Sequence, residues 1–368
     1  MSDLVPAARA PLLGLGFIAL LFGVAGGLVR LGLTFPADAA GIAWHGALMA
    51  SAFFGTLIAL ERAVAIGRLW AYLAPAASGI GGIFLLAGAV KTGFTLLVVG
   101  SAVFLIASAS IWAQHRALHT GLLALGALGL LAANLVLLAG MPAETAVPSW
   151  IAFLTLTIGG ERLELSRLSP VPRPARIAFG IIGLALLLSA FAVLAAYKPG
   201  LRISGVLLVL LAAWLLRYDI ATRTVRAAGL TRYIALCLLA GYAWLALGGA
   251  LLATGAAIDN GRALWDAALH SILLGFVFSM VFGHAPVILP AVLRVAVPYS
   301  AMLYAPLALL HASLALRIAG DVGSSVMLRE VGGAGNALAI VAFILTAAVL
   351  SLSRGRGVHS ESSGGSHA

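Results

Sequence analysis

Two histidines stand in a run that is otherwise almost wholly apolar. The stretch "LWDAALHSILLGFVFSMVFGHAPVILP" carries His270 and His284, fourteen residues apart. A third, His45, opens "WHGALMASAFFGTLIALERAVAIGRL", and a fourth, His311, lies in "YAPLALLHASLALR". Imidazole is the side chain that ligates metals, holds haem iron from its axial side and carries protons near neutral pH. A lone membrane histidine can also hydrogen-bond a neighbouring helix and do nothing more. On one helix, fourteen steps of about 100° return His284 to within about 40° of His270 but displace it by about 21 Å. The pair therefore shares a face and not a ligand. Pro286 and Pro290 follow His284 and are expected to kink that end of the helix, since each removes a backbone donor.

The charged residues that accompany these histidines are few. Glu61-Arg62 and Glu161-Arg162 repeat one dipeptide in two different apolar segments. They are expected to form an ion-pair network, the functional alternative being a proton path, because an acid kept inside a membrane is costly. Asp266 precedes His270 by four residues, one helical turn away on the same face, and can orient the imidazole or meet solvent. Arg30, Arg262 and Arg317 are guanidinium groups near the same end of their segments, of a kind suited to planar carboxylates.

The elements that must position these groups are membrane spans. Hydrophobic residues make up 62% of the 368-residue chain and charged residues only 9%, where soluble domains carry about a quarter charged. The fold class is therefore all-α and polytopic. Twelve apolar segments, each long enough to cross a hydrocarbon core of about 30 Å, are expected at approximately 11–32, 42–64, 69–90, 93–113, 119–140, 148–166, 176–196, 201–219, 231–254, 264–289, 299–319 and 334–353. Charges crowd the ends of the sixth and eighth, which makes these the weakest by composition. Residues 1–353 read as one integral domain, and the Ser/Gly-rich stretch 354–368 as a disordered tail. No small-residue cleavage pattern marks the start as a cleaved signal peptide. One cysteine, Cys237, excludes a disulfide framework or a cysteine-ligated cluster within one chain.

The formal charge of +10 does not indicate nucleic acid. About 15 of the basic residues fall on the side of the N-terminus and about 7 on the other, the positive-inside bias. Arg68, Arg116, Arg173, Arg223, Arg226 and Arg294 belong to the richer side. Both termini are then expected in the cytoplasm, with lipid as the surrounding partner.

His45 begins the second span, the Glu-Arg pairs end the second and sixth, and His270 and His284 lie in the tenth. A spacing of four spans suggests three four-helix units, with spans 2, 6 and 10 inside a pseudo-threefold bundle. At about 1.5 Å per residue, His45, His270 and His311 fall at one depth in the outer half of the membrane. Haem iron takes two axial imidazoles from opposite sides. Gly46, Ala47, Ala50, Ser51, Ala52 and Gly55 leave room beside a flat macrocycle, and Arg30 and Arg317 are placed for its propionates. His284 lies near Glu61, at a second polar level.

The segments "WHGALMASAFFGTLIALERA" and "ALHSILLGFVFSMVFGHAP" resemble the histidine-bearing spans of the NnrS family, polytopic bacterial haem proteins linked to nitric oxide metabolism. More distantly, the twelve-span layout resembles the catalytic subunit of the haem–copper oxidases. There, histidines on spans two and ten ligate haem inside a pseudo-threefold bundle. The resemblance implies a b-type haem at His45 and His270, an Arg317 near a propionate, a bacterial inner-membrane location, and a diatomic gas, redox partner or quinol as partner. Histidines on spans six and seven, which that oxidase family uses for copper, are absent. Two other readings compete. One is a transporter moving protons or ions along the His and Glu residues, which predicts inverted repeats of broken helices. The other is copper or zinc alone, held by His45, His270 and His311, with His284 as a further candidate metal ligand.

Overall fold

The computed structural model describes residues 3–34, 43–165 and 171–362, of which 354–362 are described as helical backbone only. All regular structure among them is helical. Lipid offers no partner to backbone N–H and C=O groups, so apolar segments of this length must satisfy them internally. Twelve long helices result: α1 Pro6–Arg30, α2 His45–Ile66, α3 Leu69–Leu86, α4 Val90–Gln114, α5 Leu118–Leu138, α6 Ala143–Leu165, α7 Arg173–Ala192, α8 Tyr197–Tyr218, α9 Gly229–Ala253, α10 Arg262–Leu293, α11 Ala301–Val322 and α12 Val326–Ser362. The helix of α12 thus continues through nine residues of the stretch read as a tail. Residues 363–368 lie outside the described residues.

Eleven of these helices are long and apolar enough to cross a membrane. The exception is α6, whose ends carry Glu144, Glu161, Arg162 and Glu164. Yet every residue from Ala146 to Gly160 is buried. A helix enclosed on all sides by other helices does not have to be lipid-like, and this explains why composition alone underrates it.

The helices pack as three units. In the first, α1 meets α2 and α3, α2 meets α3 and α4, and α3 meets α4. The same order of contacts recurs among α5, α6, α7 and α8. In the third unit, α9 meets α10, α10 meets α11 and α11 meets α12. Contacts of α4 with α5, α8 with α9 and α12 with α1 close the ring. Inside it, α10 touches both α2 and α6, and Trp150 of α6 bonds Ser51 of α2. Burial follows this order: 61% of the apolar window of α10 is buried, against 28% for α12 on the rim. The terminal face, where α1 begins, is latched by Arg9. Its guanidinium donates to the Val292 carbonyl (2.9 Å) at the end of α10 and to Asp3 (2.7 Å), while Tyr72 of α3 donates to the same Asp3 carboxylate (2.7 Å).

Two of the inner helices share a local irregularity. In α2 the backbone runs as a π-helix over Leu48–Phe54, and in α10 over Ser271–Phe276. Such turns insert a residue and re-aim the side chains around them. Each lies just past a histidine, His45 and His270. In α10, the Ser271 and Ser279 hydroxyls donate to the carbonyls of Ala267 (2.8 Å) and Gly275 (2.5 Å) beside the turn. The helix then passes Pro286 and Pro290 without interruption to Leu293. The π-turn in this helix falls near His270, ahead of the two prolines.

The π-turn of α2 is tied to three other helices by one buried polar junction. Ser51 donates to Asn134 Oδ1 (2.5 Å) and accepts from Trp150 Nε1 (2.8 Å), while Asn134 Nδ2 donates to the Leu97 carbonyl (3.1 Å). Interhelical hydrogen bonds of this kind are worth about 1–2 kcal/mol. Asn134→Ala is expected to lower stability by about that amount in detergent unfolding measurements. Ser110→Ala, which removes only a bond within its own helix, is expected to leave it unchanged.

Candidate functional site

His45 is the first residue of α2, and its ring lies across α1. Its Nδ1 faces the Gly23 carbonyl at 2.6 Å. A carbonyl only accepts, so Nδ1 carries the hydrogen and Nε2 keeps its lone pair. Gly27, one turn further along α1, makes this approach feasible, because a Cβ there would stand 2.9 Å from His45 Cε1. Arg30, Arg317 and His270 lie within electrostatic reach of His45.

His270 is held more elaborately. Its Nδ1 lies 2.9 Å from the Asp266 carbonyl and 3.2 Å from Asp266 Oδ1. The other carboxylate oxygen, Oδ2, accepts two bonds from Arg317, at 3.0 Å from Nε and 2.8 Å from the terminal nitrogen. Arg317 is 7% exposed. Of the two roles open to Asp266, orienting the imidazole is therefore the one observed, and Arg317 is committed to that carboxylate. No hydrogen bond engages Nε2 of either His45 or His270 among the described residues. A ring fixed in this way keeps Nε2 open, as a ligating imidazole requires.

His311 differs. Its Nδ1 accepts from Trp244 Nε1 (2.9 Å), and the two rings lie nearly parallel, 15° apart. Its Nε2 is buried without a partner. Trp244 reaches it by crossing Gly275 in the π-turn of α10, where a Cβ would lie 2.5 Å from the indole. Depth in the sequence matched His311 to the other two; the direction of its ring ties it to α9. Among the described residues, no three His, Cys, Asp or Glu side chains gather into a group able to hold a metal ion. Arg30 is exposed at the end of α1.

The second polar level lies toward the terminal face. His284 uses both ring nitrogens, Nδ1 toward the Met280 carbonyl (2.7 Å) and Nε2 toward Arg162 (3.2 Å). Arg162 in turn pairs with Asp219 (3.4 Å), their side chains only 3% and 1% exposed. Asp219 also accepts from the Ala221 N–H (2.7 Å), starting the short helix Ala221–Thr224 after α8. Thus Arg162 binds α10 and α8, and is not spent on the neighbouring Glu161. Glu61 and Glu161 lie within electrostatic reach of each other and of Arg62. The Arg62 Nε is buried without a hydrogen-bond partner. Elsewhere on this face a recess of about 390 Å³ is lined by Arg232, Tyr299 and Tyr304 among others, and includes none of the expected site residues.

Sequence reading overlooked Asp219, Trp244 and the Gly23–Gly27 pair. An Asp two residues before a short helix is a helix-start signal, and it was the only local sign of Asp219. The other two depend on which helices become neighbours.

Fold and site together define a polytopic helical membrane protein whose inner helices α2 and α10 each carry a histidine fixed through Nδ1. A family model described as "Domain of unknown function (DUF8744)" matches residues 9–352, and the chain belongs to that family. No curated protein matches the sequence.

Removing one partner of a buried ion pair strands the other charge, at about 3–5 kcal/mol. Arg162→Ala is therefore expected to lower the detergent unfolding midpoint sharply. Lys198→Ala removes a bond to Asp259 (2.9 Å) on the exposed opposite face, where solvent screens the pair, and is expected to leave that midpoint in place. Hydrogen bonds from Lys198 and Arg202 hold the Asp259 carboxyl below its usual range. That small contribution is present above the ordinary carboxylate pKa and fades as pH falls through the depressed one.

Proposed function

We propose that this chain is a membrane haem protein in which His45 and His270 are the axial ligands, acting in electron transfer or in binding a diatomic gas such as nitric oxide. One observation carries this reading. Two imidazoles on facing inner helices each have Nδ1–H fixed by an acceptor and Nε2 unengaged. A haem iron takes one or two such donors, whereas metal sites built of side chains alone gather three or more, so the donor set fits haem better. When bound, the haem supplies a one-electron centre and an iron able to take a small gas molecule.

The chain's own residues do the rest. Gly27 admits the His45 ring, the Asp266–Arg317 pair orients His270, and Arg30 is available to a propionate. The neighbouring helices exclude water and lower the local dielectric. The protein is placed in a bacterial inner membrane with the terminal face toward the cytoplasm, where the basic loops lie, and the haem level in the outer half. A quinol or another redox protein is the electron partner. Copper has no histidine on α6 or α7 to bind it. The transporter reading finds less support, because α2 and α10 run unbroken apart from their π-turns, and the units repeat at a spacing that preserves direction.

Purified from haem-replete cells, the protein is expected to show a Soret band and a pyridine haemochrome of the b type. The double variant His45→Ala/His270→Ala should lose both signals, while His284→Ala should retain them. A haem-free wild type that takes up no haem on reconstitution overturns the reading.

A further inference from the structure

The two ligand-ready histidines are not equivalent, and their difference assigns them separate tasks. His270 donates to the Asp266 carbonyl (2.9 Å), and the Asp266 carboxylate stands beside the same nitrogen, with Oδ1 at 3.2 Å. That carboxylate is fixed from behind, since Arg317 binds only Oδ2 and leaves Oδ1 to the imidazole. A carboxylate behind a ligating imidazole makes it a better electron donor. His270 further sits inside a continuous helical span, with the π-turn directly after it.

His45 has none of this. Its Nδ1 meets one neutral acceptor, the Gly23 carbonyl. Arg30 and Arg317 lie within electrostatic reach of it, and among the described residues no carboxylate contacts its ring, whereas one stands 3.2 Å from His270 Nδ1. The residue also opens its helix, preceded by Trp44 in a non-helical conformation, and one bond to α1 holds its ring.

We propose that His270 is the strong, permanent ligand, held by Asp266 and Arg317 as positioning residues, and that His45 is the ligand a diatomic gas displaces. Gas then binds on the α1–α2 side of the site. This inference rests on the haem reading above, and its test separates the two.

The full-length, haem-loaded protein is reduced and exposed to carbon monoxide as the probe, with visible and resonance Raman spectra and a redox titration recorded for each variant. His45→Ala should keep its haem, become five-coordinate and high-spin when reduced, and bind carbon monoxide at least tenfold faster than wild type. His270→Ala should lose most of its haem. Asp266→Asn should keep haem, raise the midpoint potential and lower the frequency of the iron–histidine stretch in the His45→Ala background. That last readout would not respond to a merely structural role and does not depend on His270→Ala folding. The proposal is overturned if His45→Ala loses haem while His270→Ala retains it, or if Asp266→Asn leaves both potential and stretch unchanged in a protein that holds haem. A wild type without haem defeats the underlying reading instead.

Discussion

In lipid, a polar group on an enclosed helix has no water to turn to, so its partner must come from another helix or from its own backbone. That constraint sets the rotation of the inner helices here. Ser51 faces α5 and α6 because Asn134 and Trp150 are there. Arg162 faces α10 and the end of α8 because His284 and Asp219 are there. His45 faces α1 because the Gly23 carbonyl can be reached over Gly27. Apolar side chains could not fix these angles, because lipid tails compete with them on nearly equal terms.

The same constraint divides the interior into two levels with different chemistry. At the terminal end both nitrogens of His284 are occupied, and its guanidinium partner is paired with Asp219, while the Nε atoms of Arg62 and Arg162 are buried without a hydrogen bond. This cluster ties α6, α8 and α10 together. At the opposite end the partners are arranged one-sidedly. Each imidazole is fixed through Nδ1, and the opposite nitrogen is left unengaged. His311 shows how much depends on that orientation, since the Trp244 indole already occupies its Nδ1 lone pair.

Much of the fold was legible from the chain alone, since an uninterrupted apolar run has one workable structure in a membrane. Twelve long helices, eleven of them long and apolar enough to cross a membrane, and the inner position of the second, sixth and tenth could be read from apolar length and from where the ionisable residues fall. The rank of α6 could not: its charged ends depress its hydropathy, while its burial comes wholly from its neighbours. Local spacing placed Asp266 beside His270. It could not supply Arg317, 51 positions away, as the partner that fixes the carboxylate. Nor could local spacing supply Asp219 as the carboxylate that Arg162 meets at 3.4 Å. Adjacent residues on a helix point apart, so a charge seldom finds its partner next door.

The central claim is that His45 and His270 present their free nitrogens to one flat macrocycle. A cryo-electron microscopy map of the full-length protein, isolated from haem-replete cells, tests it most directly. The account predicts planar density between α2 and α10, joined to Nε2 of His45 on one side and Nε2 of His270 on the other. Continuous protein side chains filling that space, or the two imidazoles bonded directly to one another, would contradict it.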